Sequence, residues 1–176
     1  MTEQTTPESI LLVPVPKVAS LVHQYRLRYD PSAPANVPEH ITLLYPFLAP
    51  DKIDGAVLST LRATFSAVPP FPFTLRRTAW FEQGVLYLVP EPATPFVELT
   101  RRLSQTFDIL PFEGRYPEVI PHLTIAQNGP KDVLTRIAAD VAGQLPLDAV
   151  AQEVWLMVGH NETGWVLYDR FTFERT

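Results

Sequence analysis

Two tetrapeptides share one pattern of histidine, apolar residue, threonine, apolar residue: His40-Ile41-Thr42-Leu43 and His122-Leu123-Thr124-Ile125. Side chains on a strand alternate faces, so His40 and Thr42 project to one side and Ile41 and Leu43 to the other. His122 and Thr124 do the same against Leu123 and Ile125. Positions i and i+2 are roughly 6.5–7 Å apart, which lets an imidazole and a hydroxyl reach different oxygens of one phosphate. Two such strands facing each other across a groove would set an imidazole on either side of a phosphorus atom. In-line displacement then asks one neutral imidazole to accept a proton from the attacking water or hydroxyl, and one protonated imidazole to give a proton to the departing oxygen. The threonine hydroxyls hold the non-bridging oxygens. Neither proton transfer requires a metal, and imidazoles titrating near their ordinary pKa of about 6.5 would place the rate maximum around neutrality.

A metal site is the competing chemistry. Two histidines are too few for a catalytic zinc, which takes about three protein ligands, and the chain has no cysteine. Glu39 and Glu118 could add carboxylates, but Glu39 neighbours His40 and should point to the opposite face of its strand. His23 and His160 stand outside the pattern and read as satisfied, partly buried residues. The expectation is a site with no metal and no cofactor.

Around this site the chain has the size of one domain, 176 residues, with apolar residues in short runs suited to a buried core. The polar, acidic segment Met1 to Ser9 lacks the basic flank and apolar run of a signal peptide, and no stretch could span a membrane, so the expected compartment is the cytoplasm. A net charge of -5 argues against coating long duplex nucleic acid, which needs a broad basic surface. A small phosphate ligand needs only local donors, available at Arg76-Arg77, Arg101-Arg102 and Arg115, of which the helical pair Arg101-Arg102 reads as a solvated face.

Periodicity sets out the elements that carry the motifs. A strand at Ile10 to Val15 leads to a helix over Lys17 to Tyr29 with Val18, Leu21, Val22, Tyr25 and Tyr29 on one side. A strand at Glu39 to Phe47 precedes a helix after Asp51, whose stripe is Ile53, Val57, Leu61, Phe65 and Val68. Phe71 to Phe81 and Val85 to Val89 form a strand pair, and a helix follows with Phe96, Leu99, Leu103 and Phe107 buried. After a loop from Leu110 to Pro121, a strand at His122 to Gln127 runs into a helix burying Val133, Leu134, Ile137 and Val141, with Gly143 as its stop. Two strands, Val154 to Val158 and Trp165 to Phe173, end the chain. The second half echoes the first: in each, a His-x-Thr strand runs into a helix and two strands follow, which suggests two similar α+β lobes.

Paired in this way, the motifs resemble those of the two-histidine (2H) phosphoesterase superfamily, and within it the bacterial group of 2′-5′ RNA ligase-like proteins. The resemblance covers most of the chain and implies a single domain, residues 1–176, made of two similar lobes in a pseudo-symmetric α+β fold. Two antiparallel sheets with helices packed outside would flank a central groove. It further implies His40 and His122 as acid and base, and Thr42 and Thr124 as phosphate-holding hydroxyls. The implied ligand is a nucleotide or RNA terminus with a cyclic or bridging phosphate. The implied reaction is metal-independent hydrolysis of a 2′,3′-cyclic or related phosphodiester. Joining of RNA ends through a 2′-5′ bond, or binding without turnover in the same groove, are the alternatives. Tyr45, Phe47, Trp80, Phe81 and Tyr116 are candidates for a wall that stacks a base, and Arg115 for an extra phosphate donor.

Overall fold

Ile10-Leu11-Leu12-Val13 is apolar at every position, the mark of a strand covered on both faces. In the structure, a computed structural model that describes residues 5–175, this run is the middle of β1 (Glu8–Pro14), with all four residues at most 7% exposed. A short 3-10 turn, Pro16–Val18, leads into α1 (Ala19–Tyr29), and β2 (His40–Leu44) follows. The next helix, α2 (Gly55–Ser66), begins later than Asp51 suggested: Asp51 lies in a separate turn, and Asp54 is the cap, its Oδ1 accepting from the Val57 N–H at 2.9 Å. The chain continues through β3 (Phe71–Trp80), β4 (Leu86–Glu91), α3 (Thr94–Phe107), β5 (Leu123–Ala126) and α4 (Lys131–Ala142). It ends with β6 (Leu147–Ala151), β7 (Glu153–His160) and β8 (Gly164–Thr172). No helix among the described residues is long and apolar enough to cross a membrane.

Two four-stranded antiparallel sheets result, ordered β2-β1-β7-β8 and β5-β4-β3-β6. They correspond strand for strand, but they are not the two halves of the chain. The pair that follows the first motif, β3 and β4, joins the sheet of the second motif, and β7 and β8 return to the sheet of the first. The equivalent units are β1-α1-β2-α2 and β4-α3-β5-α4, so β4 opens the second unit rather than closing the first. Strand β6 escapes sequence reading because Leu147-Asp148-Ala149-Val150-Ala151 is short and hugs a proline.

The helices of the two units are exchanged as well. α1, which links two strands of the first sheet, packs on β5 of the second, while α3 packs on β2, where Thr100 Oγ1 donates to the Leu43 carbonyl at 2.8 Å. α2 covers β8 and α4 covers β3. The outer faces of both sheets and all four helices share one continuous apolar core, running from Leu11, Ile41 and Leu43 to Leu75, Leu88 and Ile125. Each motif strand is therefore clamped from behind by a helix that belongs to the other motif's unit.

Candidate active site

β2 and β5 are edge strands of their sheets and lie against each other where the sheets meet. Ile41, Leu43, Leu123 and Ile125 are at most 1% exposed in the core, while His40, Thr42, His122 and Thr124 are half-buried on the opposite faces. The alternation read from the sequence thus holds at both motifs. One detail differs: His122 immediately precedes β5 rather than lying within it.

Both imidazoles are held by the same local device. His40 Nδ1 is 2.7 Å from the Pro38 carbonyl, and His122 Nδ1 is 2.8 Å from the Ile120 carbonyl, in each case two residues back along the chain. A carbonyl only accepts, so Nδ1 carries the hydrogen in both rings and Nε2 is left as the nitrogen that can gain or lose a proton. Among the described residues, neither the Thr42 nor the Thr124 hydroxyl is hydrogen-bonded to a protein group, which leaves both available to a ligand.

His122 has an aromatic setting. Phe81 meets its ring edge-on at 4.9 Å between centroids, Tyr87 lies at 5.6 Å, and Phe81 and Tyr87 stack at 4.2 Å. Tyr87 is paired with Thr124 across β4 and β5, so it shares the motif face. The sequence reading missed it. The available signal was strand alternation, since Leu86 and Leu88 are fully buried and Tyr87 between them must face the other way.

His40 has a charged setting. Behind it Arg26 of α1 and Asp30, just past the end of that helix, form an ion pair at 3.0 Å, and Glu39 lies 3.3 Å from the same guanidinium; all three are at most 5% exposed. Burial and then the Arg26 charge lower the His40 pKa from 6.5 to about 4, while the Pro38 carbonyl and Asp30 oppose the shift and His122 adds to it. Burial lowers His122 too, against its bond to Ile120. Glu39, expected to point away from His40, does so: it accepts from His23 Nδ1 at 2.6 Å, and its carboxyl is held below the ordinary carboxylate value by that bond and by Arg26, against burial. His23 and His160 are satisfied, the latter accepting at Nδ1 from the Glu162 N–H at 3.2 Å.

The proposed substrate contacts scatter. Phe81 is beside His122. Tyr45, Arg115 and Tyr116 line a small cavity of about 160 Å3 with Glu8, Phe112 and Glu113; there the Tyr45 hydroxyl donates to Glu8 at 2.6 Å, and Arg115 pairs with Glu113 at 2.7 Å. Phe47 is core, 6% exposed and edge-on to Phe107 at 5.0 Å, so it is no wall for a base. Trp80 is paired with Leu86 rather than with Tyr87, which turns it from the motif face. Arg76 and Arg77 both approach Glu91, and Arg101 is tied to Glu98 on the solvated helix surface.

A larger cleft of about 690 Å3 adjoins His40, taking Pro14, Pro38 and Trp155 from one side and Thr74, Asp148 and Val150 from the other. Pro14 is the register partner of His40, and Trp155 the partner of Leu12, so the cleft continues the motif face of the first sheet. The four motif side chains themselves line neither cavity, which marks the cleft as the flank of the site rather than its centre.

Comparison with known proteins points one way. A family model described as the 2'-5' RNA ligase superfamily matches residues 14–163. A Bacillus pumilus protein named "Putative phosphoesterase" is 30% identical over 171 residues, covering 92% of this chain and 94% of its own. A Bacillus cytotoxicus protein of the same description is 32% identical over 170 residues, with 92% and 94% covered. Among solved structures, E. coli LigT complexed with 3'-AMP matches 97% of this chain and all of its own at a TM-score of 0.64 and 17% identity. The apo form gives 0.61 and 16%. At those identities the likeness concerns the fold: two antiparallel four-stranded sheets with helices in a pseudo-symmetric α+β arrangement.

Proposed function

The chain belongs to the 2'-5' RNA ligase superfamily, and from that premise we propose that it is a metal-independent phosphodiesterase acting on 2′,3′-cyclic phosphates or related phosphodiesters at nucleotide and RNA ends. His40 and His122 are its acid and base, and Thr42 and Thr124 hold the phosphate. The observation that carries the reading is the twin anchoring of the imidazoles, Nδ1 to a carbonyl at 2.7 and 2.8 Å, which frees two Nε2 atoms for proton transfer beside two unengaged hydroxyls. Water attacks phosphorus, one Nε2 takes its proton, and the other protonates the ribose oxygen that leaves. The hydroxyls stabilise charge as it builds on the non-bridging oxygens.

E. coli LigT has been solved with 3'-AMP, a nucleoside monophosphate of the kind that opening a 2′,3′-cyclic phosphate can give, which supports a nucleotide end as the ligand class. The family description favours a second reading at the same site, in which a ribose hydroxyl of another RNA end replaces water and a 2′-5′ bond forms. Incubation with 2′,3′-cyclic nucleotides and with cyclic-phosphate-ended oligonucleotides tests both. Phosphomonoester products, lost in His40→Ala and His122→Ala, are expected. Joined products would select the second reading, and binding without turnover by the intact protein would overturn both.

A further inference from the structure

An arginine at position 26 breaks the apolar stripe of α1. Leu21 and Val22 are buried on that face, yet Arg26 is 1% exposed and Asp30, four residues on, is 3% exposed. Taking ions out of water costs several kcal/mol each, and well-packed apolar residues often serve a fold as well. The partners show where the charges act. Asp30 Oδ1 accepts from Ser32 and from Gln127 Nε2 at 3.1 Å, and Arg26 reaches Ser32 Oγ, the Val37 carbonyl and Glu39. Arg26 Nη1, 3.3 Å from Glu39, meets no acceptor at hydrogen-bonding geometry, so Glu39 attracts it by charge alone. Glu39 immediately precedes His40, and Gln127 immediately follows β5. The Tyr29 carbonyl adds bonds from the Gln127 and Asn128 N–H groups at 2.8 and 3.0 Å. The last turn of one helix thus grips the entrance of one histidine strand and the exit of the other.

We propose that Arg26, clasped by Asp30, is the positioning residue of this site: it fixes the two histidine strands against each other, through Glu39 directly and through Gln127 by way of Asp30. The inference rests on the phosphodiesterase reading above. In the step Arg26 serves, water oxygen bonds to phosphorus as its proton passes to one imidazole Nε2. The P–O2′ or P–O3′ bond breaks, and that oxygen takes the proton of the other imidazole Nε2. Exchange with solvent then restores both rings. Arg26 of α1, Asp30 just past the end of that helix, Glu39 next in sequence and His122 across the site are the charged and titratable groups around His40; burial and Arg26 outweigh Asp30 there.

Histidine-resolved NMR titration of the free protein and steady-state kinetics on a 2′,3′-cyclic nucleotide test this together. In the wild type, His40 titrates below the ordinary imidazole value. Arg26→Met raises His40, leaves His122 nearly in place and moves the limb of kcat/KM that His40 sets. It lowers kcat about tenfold or more with a smaller change in KM, because misplaced reacting groups slow the step more than they weaken binding. Arg26→Lys keeps the charge and restores that limb, though not the full kcat. Gln127→Leu leaves every charge in place and lowers kcat without moving the limb. Should Arg26→Met fail to fold, Arg26→Met combined with Asp30→Asn and Glu39→Gln removes the charges together and gives a smaller upward shift of His40, since the opposing Asp30 charge is lost as well. The proposal is overturned if folded Arg26 variants keep the wild-type titration, limb and kcat. A wild type with the expected titrations and no turnover of any cyclic phosphate would instead defeat the phosphodiesterase reading.

Discussion

With Nδ1 of each imidazole bonded to a carbonyl, a proton enters or leaves either ring at Nε2 alone, and in the proposed reaction the two histidines act as a unit. His40→Ala or His122→Ala should each lower turnover of a 2′,3′-cyclic nucleotide on the order of a hundredfold or more, and the double variant should lose far less than the product. Thr42→Val and Thr124→Val should be milder, since one neutral donor to the phosphate is lost while proton transfer survives. Near-normal turnover in folded histidine variants would end the two-histidine mechanism for this chain. The pH optimum should depart from what free imidazoles suggest. The proposed reaction needs one imidazole neutral and the other protonated, and both are lowered from the ordinary 6.5, His40 to about 4. The maximum of kcat/KM should therefore lie on the acid side of 6.5 instead of at neutrality, and a maximum above neutrality would assign the alkaline limb to a group other than these histidines.

The elements show what single residues do to local structure, and how far that was legible. β2 and β5 could be read because alternation writes itself into sequence: Ile41, Leu43, Leu123 and Ile125 had to be buried, which left His and Thr for the groove. Phe47 could not be read, because only the fold brings Phe107 of α3 against it. The exchange of strands between sheets left no local trace, since β3 and β4 pair with each other in either arrangement. Arg26 was legible in principle, standing four residues after buried Val22 and four before Asp30, but helical spacing alone does not reveal that this pair reaches Glu39 beside one histidine strand and, through Asp30, Gln127 beside the other. Two substitutions separate element stability from catalysis. Asp54→Ala removes the α2 cap and should cost about 1 kcal/mol in chemical denaturation with turnover unchanged. Gly159→Ala should cost more: at φ +155 an added Cβ would stand 2.2 Å from the Gly164 carbonyl oxygen and 2.6 Å from the Trp165 Cα, backbone that cannot step aside without parting β7 from β8. Wild-type stability for Gly159→Ala would contradict that close approach.

At the scale of the whole molecule, the large core that both sheets share leads us to propose that the chain unfolds in one cooperative transition. Its midpoint should depend on pH with a definite sign. The His40 pKa is lower folded than unfolded, so the unfolded chain binds more protons between 6.5 and about 4, and stability falls as pH drops through that window. Glu39 acts in the same direction further down: its contribution is present above the unfolded value of 4.5 and lost as pH falls through the lowered folded value. Denaturation midpoints across this range should fall with acid, and His40→Gln should flatten the upper part of the fall; an unchanged slope would mean that His40 is not disfavoured as a cation. The exchange of strands also sets an order in time. The sheet holding β5 draws its four strands from the uninterrupted stretch 71–151, whereas the sheet holding β2 also needs β7 and β8, which follow that stretch. During synthesis the sheet beside His122 can therefore close while the sheet of His40 still waits for its second half.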